Sequence, residues 1–163
     1  MALEHRISEL DTYLFAKGRH YEIYEKMGAH LAEEDGKAGT YFSVWAPNAR
    51  SVSVVGDFNN WDRTAHPMQP VQQSGIWDIF VPGVKAGDLY KFAVETSQGY
   101  TVLKADPYGN QSQLRPDNAS VVADIRYFDW TDQAWRKAHQ EKKTESPMAI
   151  YEVHPGSWKK DPS

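Results

Sequence analysis

Val52-Ser53-Val54-Val55-Gly56-Asp57-Phe58-Asn59-Asn60-Trp61 is the stretch that decides how this chain is read. Val52, Val54 and Val55 are β-branched, as half-buried strands prefer. Gly56 and the polar group Asp57, Asn59 and Asn60 break the strand. Asn and Asp tolerate left-handed backbone and bond their own main chain, so they make turns. Phe58 and Trp61 then sit where the backbone changes direction at the rim of a sheet. An aromatic in that place is either a lid on the core or a platform for a ligand.

Outward from this stretch the period stays at two. Tyr41-Phe42-Ser43-Val44-Trp45 reads as a strand stopped by Ala46-Pro47-Asn48. Ile76 to Val81 is another, closed by Pro82-Gly83. Leu89 to Glu95 alternates, with Tyr90, Phe92 and Val94 on one side and Lys91 and Glu95 on the other. Short strands are predicted at 100–103, after the Gln98-Gly99 turn, and at 121–125. Closely spaced turn signals between short strands predict an all-β fold, an immunoglobulin-like antiparallel β-sandwich over residues 37–127. Short helices flank it. Ser8-Glu9-Leu10-Asp11 resembles a capping box, with Leu10, Tyr13 and Leu14 at helical spacing and Gly18 as C-cap, within a helical lead-in over residues 1–36. Thr131 caps a second helix in which Ala134, Trp135 and Ala138 share a face, within a helix and linker over 128–147. A new strand is predicted at 149–154, with no sheet apparent for it to join.

The 163 residues correspond to about one domain, long enough to bury a core without staples. There is no cysteine, so neither a disulfide framework nor a thiolate metal site is expected, which suits a reducing, cytoplasmic location. The formal net charge is −4 with both signs interspersed, and no basic run points to nucleic acid. No apolar run approaches the ~20 residues of a membrane span. Residues 1–6 carry no apolar segment of a leader. Asn118-Ala119-Ser120 matches the glycosylation pattern, which is attributed to chance. Aromatic residues make up 13% and include 6 Trp; a surplus at a surface signals recognition.

No catalytic set emerges. There is no Gly-rich phosphate loop and no nucleophile elbow. The six histidines offer no i, i+4 ligand pair, so no metal and no cofactor are expected. Asp57, Asp62, Asp78, Asp88, Glu95, Asp106 and Asp124 fall in turns or on the polar side of strands, where a solvated charge is the plain reading. The aromatics are more informative. A sugar ring packs its C–H face on a flat aromatic and needs polar partners at its edge; Trp61 with Asn59 or Asn60 supplies both. Trp61 as a cap on the core is the competing reading. Lys91 either bonds a ligand hydroxyl or is simply solvated. Tyr100, past a Gly turn, either stacks on a ligand or covers the sheet. Trp45 and Trp77 fall inside strands and are expected in the core. Trp130 and Trp135 are expected to pin the following helix.

Phe42-Ser-Val-Trp-Ala-Pro-Asn-Ala49, Val54-Val-Gly-Asp-Phe-Asn-Asn-Trp61 and Tyr90-Lys-Phe92 resemble the N-terminal starch- and glycogen-binding module of the α-amylase superfamily. Tyr13 to Gly18 with Gly28-Ala-His30, Leu103-Lys-Ala-Asp-Pro-Tyr108, and Ile150-Tyr-Glu-Val-His154 with Gly156-Ser-Trp158 narrow the resemblance to the bacterial glycogen branching enzymes. The resemblance implies that residues 148–163 begin a catalytic (β/α)8 barrel, whose active site is built at the C-terminal ends of several strands. The family's catalytic carboxylates would lie farther along, so this chain alone is expected to be inactive and monomeric. Its expected partners are α-1,4-glucan and that barrel in cis. In related modules, including that of the AMP-activated protein kinase β subunit, sugar is held by two aromatics, a lysine, an aliphatic and an asparagine. By motif these fall on Trp61, Lys91, Tyr100, Leu114 and Asn118, with Asn60 beside them. Two positions depart: Tyr100 stands where the kinase-type module has Trp, and Pro155 removes an N–H at the end of the first barrel strand. A stand-alone scaffold module and a debranching-type relative are the alternatives.

Overall fold

The computed structural model describes residues 6–126, 130–139 and 149–158. The chain divides into two units, Met1–Tyr127 and Phe128–Ser163. The first is a sandwich of two antiparallel sheets. Strands β1 (Gly28–Glu34), β2 (Lys37–Trp45), β4 (Gln69–Val71) and β5 (Ile76–Pro82) form one, in the order β1-β2-β5-β4. Strands β3 (Ser51–Gly56), β6 (Leu89–Glu95), β8 (Gln111–Ser112) and β9 (Ser120–Val121) form the other, in the order β3-β6-β9-β8, with β7 (Thr101–Lys104) also paired to β6. The main core lies between them. Phe42 of β2 meets Tyr90 of β6 edge-on at 5.0 Å between ring centroids, and Tyr90 meets Phe92 at 5.8 Å. Val52, Val54, Val44 and Val81 fill the space around these rings. The immunoglobulin-like all-β reading is therefore correct.

A second apolar cluster explains why β2 does not alternate. Thr40 through Val44 are all buried. One side of β2 faces the sandwich core. The other is covered by the lead-in, whose Ile7, Ile23 and Met27 pack with Val71 and Ile76. The polar residues on that covered side are bonded, as buried polar groups must be. Ser43 Oγ donates to the Lys26 carbonyl at 2.6 Å, and the Tyr41 hydroxyl donates to the Asp78 carboxylate. Burial and the adjacent Asp78 charge push the Tyr41 phenol well above its ordinary range.

Helix α1 (Glu9–Ala16) begins at Ser8, with the capping box to Asp11 that the sequence announces. The face it buries is not the apolar one, however. Leu10 and Tyr13 are mostly exposed, while Asp11 is buried. Asp11 accepts from Lys26 Nζ at 2.5 Å and pairs with His20 Nε2 at 2.7 Å, so the inward side of the helix is an ionic clamp.

Several boundaries differ from the sequence reading. The expected helical lead-in to residue 36 ends earlier, because 28–34 is strand β1. Its Ala, Leu and Glu carry helical propensity, but Asp35 and Gly36 take positive φ values of 50° and 72° in a two-residue turn that lays 28–34 against β2. The strand expected at 121–125 is only Ser120–Val121. Strands β4 and β8, of three and two residues, had no signal of their own. Trp45 is 52% exposed rather than core, since Val44 takes the inward direction and leaves its neighbour outward. Trp77 packs against the core and its indole N–H donates to the Ala46 carbonyl at 3.1 Å.

In the second unit, α2 (Gln133–His139) and α3 (Pro155–Trp158) are helical. Trp130 and Trp135 are 60% and 62% exposed. The strand expected at 149–154 is not formed: those residues are irregular and pair with no strand among the described residues. A strand needs a ladder. The charged linker 141–147 lies outside the described residues.

Candidate functional site

Strand β3 ends at Gly56, where the surrounding chain leaves no room for a side chain. A Cβ there would lie 2.1 Å from the Leu89 carbonyl oxygen and 2.6 Å from the Phe58 ring. A single 3-10 turn (Asp57–Asn59) follows. Asn59 is buried and holds this turn: its Oδ1 accepts from the Gly56 N–H at 2.9 Å, and its Nδ2 donates to the Val54 carbonyl at 3.0 Å and to His66 Nδ1 at 2.9 Å. Burial pushes the His66 imidazole below its ordinary pKa, against the pull of Asp62, and so favours the neutral ring that this last bond requires. Asn59 is thus committed to the loop, and of the two asparagines only Asn60 is exposed.

Phe58 takes one of the two roles that the sequence left open. Phe58 is the lid: it stacks on Phe42 at 5.9 Å and packs against the core cluster. Trp61 is half-buried and is absent from that cluster. Its backbone is left-handed, φ 60°, directly after Asn60 at φ 52°. Its N–H donates to the Gly56 carbonyl at 2.9 Å, and its indole N–H donates to the Asp57 carboxylate at 3.0 Å. The ring is therefore fixed from two sides. Asp57 is a positioning residue the sequence reading missed; its signal was the four-residue spacing across a turn.

Pairing registers set the rest. Gly56 faces Tyr90 and Val55 faces Lys91, while Val54 faces Phe92. Tyr90 and Phe92 point into the core, so Lys91 points outward. Lys91 Nζ donates to Asn118 Oδ1 at 2.5 Å. Asn118 precedes β9 on the edge of β6 opposite to β3. Trp61 follows β3, Lys91 lies on β6 and Asn118 precedes β9, and β6 pairs with both β3 and β9 in the second sheet. Leu114 tops the loop between β8 and β9 and is 88% exposed. That loop is closed by paired bonds between Gln113 and Ala119: Gln113 N–H to the Ala119 carbonyl at 2.8 Å, and Ala119 N–H to Gln113 Oε1 at 3.3 Å.

Tyr100 is not brought to this group. It sits beyond Thr101, which pairs with Glu95, so it lies at least about 13 Å along β6 from Lys91. The residue that does share the outward side is Leu103, which pairs with Ala93, two positions from Lys91, and is 41% exposed.

Among the described residues no group of three or more histidines or carboxylates is arranged to hold a metal ion. The strongly perturbed groups serve structure instead. Asp106 lies under β6, accepting from the Tyr90 hydroxyl at 2.5 Å and from the Tyr108 N–H at 2.8 Å; burial raises its carboxyl, against those bonds.

Residues 26–109 match the family described as carbohydrate-binding module 48 (isoamylase N-terminal domain). That is just over half of the chain. The chain belongs to this family. The match contains Trp61, Lys91, Tyr100 and Leu103 and ends before Leu114 and Asn118. Nearly the whole chain is also similar to longer proteins. It is 53% identical over 156 residues to the 1,4-alpha-glucan branching enzyme of Protochlamydia amoebophila (strain UWE25), covering 95% of this chain and 22% of that protein. It is 52% identical over 157 residues to the 1,4-alpha-glucan branching enzyme of Butyrivibrio fibrisolvens, covering 96% and 25%. The chain thus spans a quarter or less of these curated relatives. In structure it resembles a Klebsiella pneumoniae pullulanase complexed with maltotriose, with a TM-score of 0.51 and 28% identity over 70% of this chain and 10% of that one. As a module 48 member, the chain has its family match centred on the sandwich, whereas its likeness to branching enzymes takes in the lead-in as well.

Proposed function

We propose that this chain is the α-glucan-binding and structural module of a glycogen branching enzyme. The parent would cut an α-1,4 bond, hold the segment as a covalent glycosyl intermediate, and pass it to a 6-hydroxyl, as a retaining carboxylate pair permits. The module would act beside that catalytic barrel in cis, in the cytoplasm, as a monomer by itself. Identity of about one half to branching enzymes over nearly the whole chain supports this reading over a debranching relative, for which the likeness is 28%. It also weighs against a stand-alone scaffold.

The single observation that supports glucan binding is Trp61: an aromatic ring outside the core, pinned by Asp57, in the turn after β3, the strand that pairs with the strand of Lys91. Its flat face suits the C–H side of a glucose ring. Lys91, Asn118 and Asn60 offer donors and acceptors for the hydroxyls, and Leu114 an aliphatic contact. One stacked ring and a few exposed hydrogen bonds supply only about 4 to 6 kcal/mol, so Kd for a linear maltooligosaccharide falls between the order of 1 mM and 0.1 mM. The test is an NMR titration with maltoheptaose that follows the Trp indole N–H signals. A saturable shift at Trp61, abolished by Trp61→Ala with the fold intact, supports the reading. Silence of Trp61 at several times the upper Kd makes the module a spacer for the barrel.

A further inference from the structure

The turn that carries Trp61 is held by a histidine outside it. Residues 66–68 run along the edge of β3: the Val54 N–H donates to the His66 carbonyl at 3.1 Å, the Met68 N–H donates to the Val52 carbonyl at 2.8 Å, and Ser53 and Pro67 form a bridge. This anchored backbone sets the imidazole against the turn, edge-on to Phe58 at 5.7 Å between ring centroids.

Asn59 is the buried residue between ring and turn, and every polar atom of its amide is bonded. Oδ1 accepts from the Gly56 N–H, while Nδ2 donates one hydrogen to the Val54 carbonyl and the other to His66 Nδ1. The amide cannot turn over. Reversed, it would set N–H against the Gly56 N–H and oxygen against the Val54 carbonyl, two like contacts in a buried place. Asn59 is therefore fixed as a donor toward His66, and His66 Nδ1 must be an unprotonated acceptor. The ring's one proton then sits on Nε2. A second proton, on Nδ1, would set two donors against each other at 2.9 Å.

The same asparagine anchors the platform. Its carbonyl accepts from the Asp62 N–H at 3.0 Å, and the carbonyl of Gly56, which it holds, accepts from the Trp61 N–H at 2.9 Å. Asn60 and Trp61, both left-handed, lie between these two anchors. Loss of the Asn59–His66 bond thus falls on the residues least able to keep their conformation unaided. Burial lowers the pKa of the ring, and Asp62 in the same loop opposes this more weakly. Asp62 is itself committed to the Thr64 N–H and hydroxyl, at 2.8 Å and 2.7 Å. Asp57 is bonded to the Trp61 indole, and Arg63 is exposed. Strand β3, which residues 66–68 line, has no ionisable side chain; in β6 beyond it, Lys91 is bonded to Asn118 and Glu95 to Ser51.

We propose that His66 is a positioning residue for the Trp61 platform, and that its protonation opens the turn and withdraws the platform from glucan. This rests on the reading that Trp61 binds α-glucan. An open turn leaves the imidazole in water, where it takes up a proton at about pH 6.5; the formed turn takes it up only at lower pH. Platform order is therefore complete above that pH and is lost as pH falls toward the lower value of the formed turn. Apparent affinity scales with the fraction of chains whose turn is formed.

The test uses the whole 163-residue chain, isotopically labelled, from about pH 7.5 to about pH 5, across the range in which histidine titrates. Without sugar, the protection of the Trp61 and Asp62 backbone amides from hydrogen exchange should fall as the His66 ring titrates, while that of Val54 and Phe92 in the core holds. With maltoheptaose, Kd read from the Trp61 indole should rise about fivefold over the same range, as the formed fraction falls to about one fifth. His66→Asn keeps an acceptor where Nδ1 stood and gains no proton, so its Kd should change less than about twofold across the range. His66→Leu removes the acceptor and should bind weakly at both ends of it. The other histidines are untouched in these variants, so the difference belongs to His66. Where His66→Leu fails to fold, His66→Asn against the parent chain decides. If the parent and His66→Asn share one pH profile, the role of His66 is overturned and the Trp61 reading stands. If maltoheptaose moves no signal at either pH, the glucan reading fails and the sugar-free exchange decides His66: protection lost in the parent and kept in His66→Asn upholds the positioning role, and equal protection overturns it.

Discussion

Trp61 holds a backbone conformation that suits its neighbour Asn60 and does not suit a bulky residue. A left-handed non-glycine costs roughly 1 to 3 kcal/mol and persists only where its surroundings over-determine it. Here the Gly56 carbonyl, the Asp57 carboxylate and the buried Asn59 do so. Strain kept at an aromatic outside the core suits a recognition role. Trp61→Gly should therefore abolish the glucan response as Trp61→Ala does, yet unfold at a higher urea concentration than Trp61→Ala, by about 1 kcal/mol. Equal midpoints would remove the argument from strain. Gly56 is constrained differently. Its φ of −177° is open to any residue, but a Cβ would meet the Leu89 carbonyl, which belongs to the paired strand and cannot step aside. Gly56→Ala should cost about 3 kcal/mol by denaturant titration.

Two elements behave as units, the β6–β7 hairpin and the lead-in. In the hairpin, the register puts Leu103 on the outward side near Lys91 and carries Tyr100 to the far end. Tyr100→Ala should then leave the maltoheptaose Kd unchanged within about twofold, while Leu103→Trp should tighten it about threefold to tenfold by adding a ring worth roughly 1 kcal/mol. The reverse order would return Tyr100 to the site. The lead-in hangs on Asp11. Burial would raise this carboxyl, but Lys26, Ser8 and His20 bond its ionised form and together hold it well below the usual carboxylate range. The folded state thus releases this proton more readily than the unfolded chain, whose Asp titrates near 3.9. The clamp's contribution is fully present above that pH and is lost as pH falls through the lower folded value. Stability measured between pH 6 and pH 2 should fall less steeply for Asp11→Asn than for the parent chain. An identical acid slope in both would show that the clamp carries no linkage.

For the whole molecule, the prediction concerns chemistry. The buried carboxylates Asp11, Asp78 and Asp106 are bonded by Lys26, Tyr41 and Tyr90, and the chain spans a quarter or less of the branching enzymes it resembles. Incubated with amylose, it should create no α-1,6 linkages, as read by debranching and chain-length analysis. New linkages formed by the pure chain would mean that a catalytic pair lies within these residues. Among the described residues no helix is long and apolar enough to cross a membrane.

Residue order alone carried strands β2, β3, β5 and β6, the helix start at Ser8, and the turn that ends in Trp61, because these rest on local steric and hydrogen-bonding preferences. Family motifs added Lys91 and Asn118. What needed the folded chain was every relation set by pairing or by a covering layer. Residues 28–34 became a strand because Asp35-Gly36 turned them onto β2. Trp45 came out of the core and Phe58 went in. Asp57 and Leu103 joined the rim and Tyr100 left it, because a register of one or two residues decides which side of a sheet a side chain takes.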